Sequence, residues 1–155
     1  MGSTPYKCYD EIISQAVAWQ QAVDEVSRKA DAVRRFFHTH QPTDILIVGC
    51  GSPFYMGESI NLYWQAALGV RCRVAPASEL AQYPDAYLPR NSESSVLVVI
   101  SRSGATTEAL WAIEKFNERH AGRSLLVSCA PGSPLDELAE LSILIPNGYE
   151  ETVPQ

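Results

Sequence analysis

Residues 98–110 read VVISRSGATTEAL. The stretch opens inside a run, Val96 to Ile100, that is apolar at every position. A strand with no polar alternation must be covered on both faces. From Thr106 onward the spacing changes. Ala109, Ala112, Ile113 and Phe116 recur at helical steps on one face, and the pattern extends to Ala121 with Gly122 as its stop. A doubly covered strand that passes straight into a helix is half of a β-α-β unit. The joint itself is unusual. Ser101, Ser103, Thr106 and Thr107 stand around Gly104, four hydroxyls within seven residues and no aspartate, glutamate, lysine or histidine among them.

Other runs repeat the strand part of this pattern. DILIVGCG, VRCRVA, SVLVVIS, SLLVS and LSILIP are short and rich in Val, Ile and Leu. Helical segments separate most of them: Phe54 to Leu68, Thr106 to Ala121, and Leu135 to Glu140. The link PASELAQYPDAYLPRNSES holds only a brief helix before its prolines. Alternation of this kind implies parallel strands joined by right-handed crossovers. The expected fold is α/β, a three-layer flavodoxin-like sandwich around a five-stranded parallel sheet in the order 2-1-3-4-5. The segment before it is helical. Trp19, Val23, Val26, Ala30, Val33 and Phe37 form one apolar stripe, with Arg28, Lys29, Asp31 and Arg34 off it and facing water. A shorter helix over about Tyr6 to Gln15 precedes that stripe, and Pro42 ends the helical run.

The chain has 155 residues, 46% of them apolar and 19% charged, with a formal net charge of −6. This is globular composition and one domain of ordinary size. No run of Lys and Arg invites nucleic acid, and no stretch reaches the ~20 apolar residues of a membrane span. The start lacks a signal sequence, and Tyr6 stands where a myristoylation motif requires Ser or Thr. Cys8, Cys50, Cys72 and Cys129 have no short pairing and read as reduced thiols of a cytoplasmic protein. His38 and His40 point to different sides of a helix, so no shared metal is expected. No cofactor is implied by any motif.

Ligands of such sheets bind beyond the C-terminal strand ends where the strand order reverses, here between the first and third strands. GCGSPF and SRSGATT meet there, each running into a helix N-terminus with unsatisfied N–H groups and the positive end of a helix dipole. Ser52 is placed to cap the second helix, with Pro53 at its first position. Hydroxyls and bare amides together hold an anion, most naturally phosphate. Gly104 allows close approach of the backbone. Ser101, Ser103 and Thr106 can each donate; Thr107 either caps or faces away. Capping alone would use one or two of these hydroxyls. Charge-assisted bonds of about 1.5–3 kcal/mol each, less the ordering cost, correspond to dissociation constants of roughly 10 µM to 1 mM. Other phosphate chemistries are excluded. Phe54 breaks the dinucleotide fingerprint, no G-K-[ST] is present, the strand ends lack an acidic cluster, and Met56 occupies the position where a Cys50-based phosphatase needs Arg. Cys50 lies near a helix N-terminus, which lowers a thiol pKa, yet it reads as a small strand-end thiol.

These motifs resemble the sugar isomerase (SIS) domain family, which includes the isomerase half of glutamine–fructose-6-phosphate aminotransferase and tandem-domain ketose/aldose-phosphate isomerases and deaminases. The resemblance runs from about Tyr6 to Gln155, through YDEIISQAVAW, VGCGSPFYMGESINLYW, ASELAQY, ISRSGATTEAL and EETVPQ. It implies a helical segment over 1–42 and a phosphosugar-binding domain over 43–155. It implies that Ser101, Ser103 and Thr106, with the backbone of Arg102 and Gly104, hold the phosphate of a hexose or hexosamine 6-phosphate. Gly51, Ser52 and Val153 would line the sugar, with Glu151 close by as the candidate acid/base. Glu150 and Glu151 also read as solvated loop charges, and His120 lies at the far end of its helix. Pro53 and Arg102 depart from common family residues, Arg102 toward the isomerases and deaminases. Such enzymes carry two SIS domains, so the chain is expected to be one half, paired with a second domain or with a second copy across an exposed flank. The alternative is a non-catalytic phosphosugar-sensing module.

Overall fold

Strands apolar on both faces are stable only between two helical layers, and the chain supplies both. The computed structural model describes residues 7–88, 94–120 and 122–152. Its strands are β1 (Asp44–Gly49), β2 (Arg71–Pro76), β3 (Ser95–Ser101), β4 (Ser124–Ser128) and β5 (Leu141–Leu144). They form one parallel sheet in the order β2-β1-β3-β4-β5, as the sequence predicts. The central pair runs in register from Asp44↔Ser95 to Val48↔Val99, so the C-terminal ends of β1 and β3 emerge side by side.

The strand period of two sorts the core into halves. Leu46, Val48, Leu97 and Val99 pack on one face with Ala109, Ile113 and Phe116. These last three belong to α5 (Thr107–Asn117), which shares its layer with α3 (Ala77–Gln82), α4 (Pro84–Tyr87) and α6 (Pro134–Leu138). Ile45, Ile47, Val96 and Val98 point the other way, toward Phe36, Ile60 and Trp64. Those come from α1 (Lys7–His40) and α2 (Ser52–Leu68). At the N-terminal end of the sheet Arg73 Nε and Nη2 donate to Asp44 at 2.9 and 2.6 Å, and Nη2 also reaches the Tyr87 carbonyl at 2.9 Å. Hydrogen bonding to Asp44 raises the Arg73 pKa. This fork ties β1, β2 and α4 together.

Several sequence expectations change. The two expected N-terminal helices are one helix of 34 residues. Nothing between Lys7 and His40 breaks it, since neither Gly nor Pro occurs there, and Glu25–Arg28 and Asp31–Arg34 pairs support its surface. The apolar stripe packs only at its C-terminal part, where Val33 and Phe37 join the core beside buried Phe36. Trp19, Val23 and Val26 face solvent. Arg28, Asp31 and Arg34 face water, and Lys29 is half-buried. α2 begins at Ser52, and its N-cap is Gly51 at φ 61° rather than Ser52. A left-handed residue turns the chain there, which glycine does without strain. α5 ends at Asn117, short of Gly122. The N–H groups of Arg119 and His120 both reach the Phe116 carbonyl and tighten the last turn. The link after β2 holds two short helices instead of one.

Phe116 is fully buried and Trp111, on the same helix, is mostly exposed. Phe116→Ala should lower unfolding free energy by about 3–5 kcal/mol, whereas Trp111→Ala should stay within about 0.5 kcal/mol. Urea denaturation followed by far-UV circular dichroism measures both.

Candidate functional site

β3 ends at Ser101, whose buried Oγ accepts the Gly104 N–H at 3.2 Å and so closes the turn. Gly104 sits at φ 62°. A Cβ there would lie 2.0 Å from Ser133 Oγ and 2.5 Å from Ser133 Cβ. The loop is also fastened by backbone bonds. The Arg102 carbonyl accepts Cys129 N–H at 3.1 Å, and the Gly104 carbonyl accepts Leu135 N–H at 3.0 Å. The loop after β3 is therefore held by the loop after β4 and by the first turn of α6. Ser103 Oγ accepts the Ala105 N–H at 3.3 Å and lies 3.5 Å from Thr106 Oγ1. Thr106 is the N-cap of α5 but makes no side-chain capping bond. Its hydroxyl remains available beside the helix's unsatisfied N–H groups.

Ser101, Arg102, Ser103 and Thr106 line one cavity of about 60 Å³ with Cys50 and Pro53 from the loop after β1. The two loops at the switch point thus meet as expected. Thr107 is exposed and lies outside the lining, so it faces away. Gly51 and Ser52 are exposed at the start of α2, next to Pro53 in the lining. The donors are neutral hydroxyls and amides, with the Arg102 cation among them and Glu108 in the first turn of α5. Burial, and then Glu108, push the Cys50 thiol above its ordinary pKa. Cys50 is thus the small strand-end thiol that the sequence predicts, and desolvation disfavours its thiolate.

Glu151 lies elsewhere. It is exposed, pairs with Lys7, and gives its backbone N–H to Glu11 at 2.7 Å. Glu11 also takes the hydroxyl of Thr152, which lowers the Glu11 pKa. Burial raises the Cys129 pKa, Arg102 opposes the rise, and Glu150 adds to it. Val153 lies outside the described residues. His120 packs on Phe116 away from the cavity, and burial lowers its pKa. His40 binds Glu140 at 2.8 Å. Among the described residues no cluster of three or more His, Cys, Asp or Glu side chains is arranged to hold a metal, and no helix is long and apolar enough to cross a membrane.

Three neighbours escaped the sequence reading. Ser133 packs against Gly104 with its buried Oγ lacking a hydrogen-bond partner. Tyr149 lies under Arg102, whose guanidinium carbon is 5.6 Å from the ring centroid. Glu11 binds the segment after β5. Only Ser133 left a signal, as the Ser-Pro pair that opens α6; the other two contacts are long-range.

Gly104→Ala should lower stability by about 2 kcal/mol or more, through left-handed strain and the collision with Ser133. Adding Ser133→Gly should restore only the collision part. Thermal unfolding of the single and double variants separates the two.

The SIS domain model matches residues 39–154. Glutamine–fructose-6-phosphate aminotransferase [isomerizing] of Shewanella oneidensis is 31% identical over 106 residues, 68% of this chain and 17% of that protein. The crystal structure of tagatose-6-phosphate ketose/aldose isomerase from Escherichia coli superposes with a TM-score of 0.84 at 21% identity, over 93% of this chain and 41% of that one. The Vibrio vulnificus NanR protein complexed with ManNAc-6P superposes with a TM-score of 0.61 at 22% identity, over 84% and 50%. The chain spans about a sixth of the curated relative's length and about two fifths of the isomerase's. With the match to the family model covering most of its length and the hydroxyl-lined loop in place after β3, the chain belongs to the SIS domain family.

Proposed function

We propose that the chain is the phosphosugar-binding half of a sugar-phosphate isomerase, aminotransferase or deaminase acting on a hexose or hexosamine 6-phosphate. The observation that carries this reading is the convergence of Ser101, Ser103 and Thr106 on one small cavity at the N-terminus of α5. Neutral donors at a helix N-terminus suit a phosphate dianion. Arg102 adds a charge-assisted donor. The backbone of Arg102 and Gly104 completes the cradle, with the Gly104 N–H bonded to Ser101 Oγ and so orienting that hydroxyl, and Gly51, Ser52 and Val153 flank the sugar. The curated relative's name includes fructose 6-phosphate, and a structural neighbour holds an N-acetylhexosamine 6-phosphate. Four free cysteines suit a reducing, cytoplasmic setting. A second SIS domain or a second copy would complete the catalytic centre.

Sugar 6-phosphates should raise the melting temperature, and the unphosphorylated sugars should not. Equal shifts with both, or none with either, would remove the phosphate site. Ser103→Ala and Thr106→Val should each weaken binding by about 1–3 kcal/mol, five- to 150-fold, because each leaves the anion short of a donor. Isothermal titration with fructose 6-phosphate and glucosamine 6-phosphate reads this out.

A second reading, a sensing module that binds without turnover, is favoured by one observation: Glu151, the proposed acid/base, is held by Lys7 at the surface. Moving a proton between C1 and C2 needs a base within hydrogen-bond reach. The 155-residue chain alone should therefore bind sugar phosphate yet exchange the C1 or C2 proton with deuterated water no faster than background, as followed by NMR. Exchange that is lost in Glu151→Gln and kept in His120→Ala would place the catalytic base within this chain.

A further inference from the structure

The guanidinium of Arg102 and the ring of Tyr149 join two segments that the sheet order sets apart. Arg102 follows β3 and lines the cavity. Tyr149 follows β5, two strands away in the sheet, and is not part of the lining. Cys129, just past β4, lies between them. Its N–H donates to the Arg102 carbonyl at 3.1 Å, and a Cβ on Gly148 would come within 3.1 Å of its Sγ. The three loops lie side by side, and Arg102 is held at both ends. Cys129 holds its backbone. Tyr149 holds its side chain, with the guanidinium carbon 5.6 Å from the ring centroid. The same cation acts on the Cys129 thiol, in keeping with a guanidinium over the C-terminal end of β4.

Tyr149 is itself fixed by its backbone. The chain leaves β5 through a 3₁₀ turn, Pro146–Gly148, and the Tyr149 N–H closes on the Pro146 carbonyl at 3.1 Å. Before Tyr149, the Asn147 N–H donates to Gln21 at 2.8 Å. After it, the Glu151 N–H donates to Glu11 at 2.7 Å. Both acceptors belong to α1, which the core holds through Phe36. The ring is 45% exposed, so its own burial does not account for its position; the pinned backbone does.

The benefit to a ligand is entropic. An arginine side chain has many rotamers to give up when it settles on an anion. Against a fixed ring, part of that order exists before the anion arrives, and preorganisation of this kind raises affinity. The attraction of a cation to a ring face uses none of the guanidinium's N–H donors. We propose that Tyr149 is a positioning residue, whose ring holds the Arg102 guanidinium at the rim of the cavity for the phosphate dianion of the sugar. This rests on the phosphosugar reading above and adds to it a residue outside the cavity.

Isothermal titration of the 155-residue chain with fructose 6-phosphate, glucosamine 6-phosphate and inorganic phosphate tests it. Tyr149→Leu should raise the dissociation constant about two- to fivefold, the range of a partly exposed cation–π contact. The ratio should be the same for every ligand bound, because the contact is with the phosphate they share. Tyr149→Phe, which keeps the ring, should restore the wild-type affinity. Arg102→Ala should raise the constant further. Adding Tyr149→Leu to Arg102→Ala should then change nothing, because the ring acts only through the guanidinium; a ring that merely stabilised the fold would weaken both backgrounds alike. Wild-type affinity in Tyr149→Leu would overturn the proposal and leave the phosphate site standing. So would the same added loss in the Arg102→Ala background, or a loss in Tyr149→Phe equal to that in Tyr149→Leu. A wild-type chain that binds none of the three ligands would instead remove the phosphate site and the proposal together.

Discussion

The arrangement of the cavity hangs on one close approach, that of the Gly104 backbone to Ser133. Any side chain at Gly104 would occupy the space of the serine, so the turn after β3 can lie against the loop after β4 only because that side chain is missing. The approach lets the carbonyls of Arg102 and Gly104 take N–H groups from the neighbouring loop and from the first turn of α6. With the carbonyls used on that side and the Gly104 and Ala105 N–H groups holding Ser101 and Ser103 in place, the serine and threonine hydroxyls are left for the other, where β1 delivers Cys50 and Pro53. A loop held only by its own residues would have to be ordered by the ligand, at a cost of about 1–2 kcal/mol per residue in backbone entropy. Here much of that order precedes binding.

The sheet was readable because each strand is an unbroken apolar run, and such runs have one stable use in a chain that alternates them with helices. The loops at the switch point were readable for the same reason: once the order is known, the meeting of GCGSPF and SRSGATT follows. Helix ends were less so. Ser52 looks like a cap by residue type, but the left-handed turn at Gly51 takes the position, and backbone conformation decides against side-chain preference. The α1 stripe shows a second kind of miss. Periodicity says that a helix has an apolar side and does not say what that side meets. The residues that fix its rotation, Glu11 and Gln21, bind backbone more than a hundred positions away.

The two ends of the sheet have separate duties. At the N-terminal edge the Arg73 fork on Asp44 and the Tyr87 carbonyl joins β1, β2 and α4, and the cavity lies at the opposite edge. Substitutions at the fork act on folding, and those in the hydroxyl loop act on ligand affinity. Gly104 belongs to both classes, since it shapes the loop and also packs against the neighbouring one.

Lys7 and Glu11 near the start of the described chain grip Glu151 and Thr152 near its end. The two extremities are therefore spatial neighbours although they are almost the whole sequence apart. Joining such points with a short linker and opening the chain at an exposed loop would preserve the strand order while changing which residue comes first. Chain order and spatial order are thus separable in this domain. A designer could move the break to the rim of the cavity and attach a reporter there without asking any strand to change its neighbour.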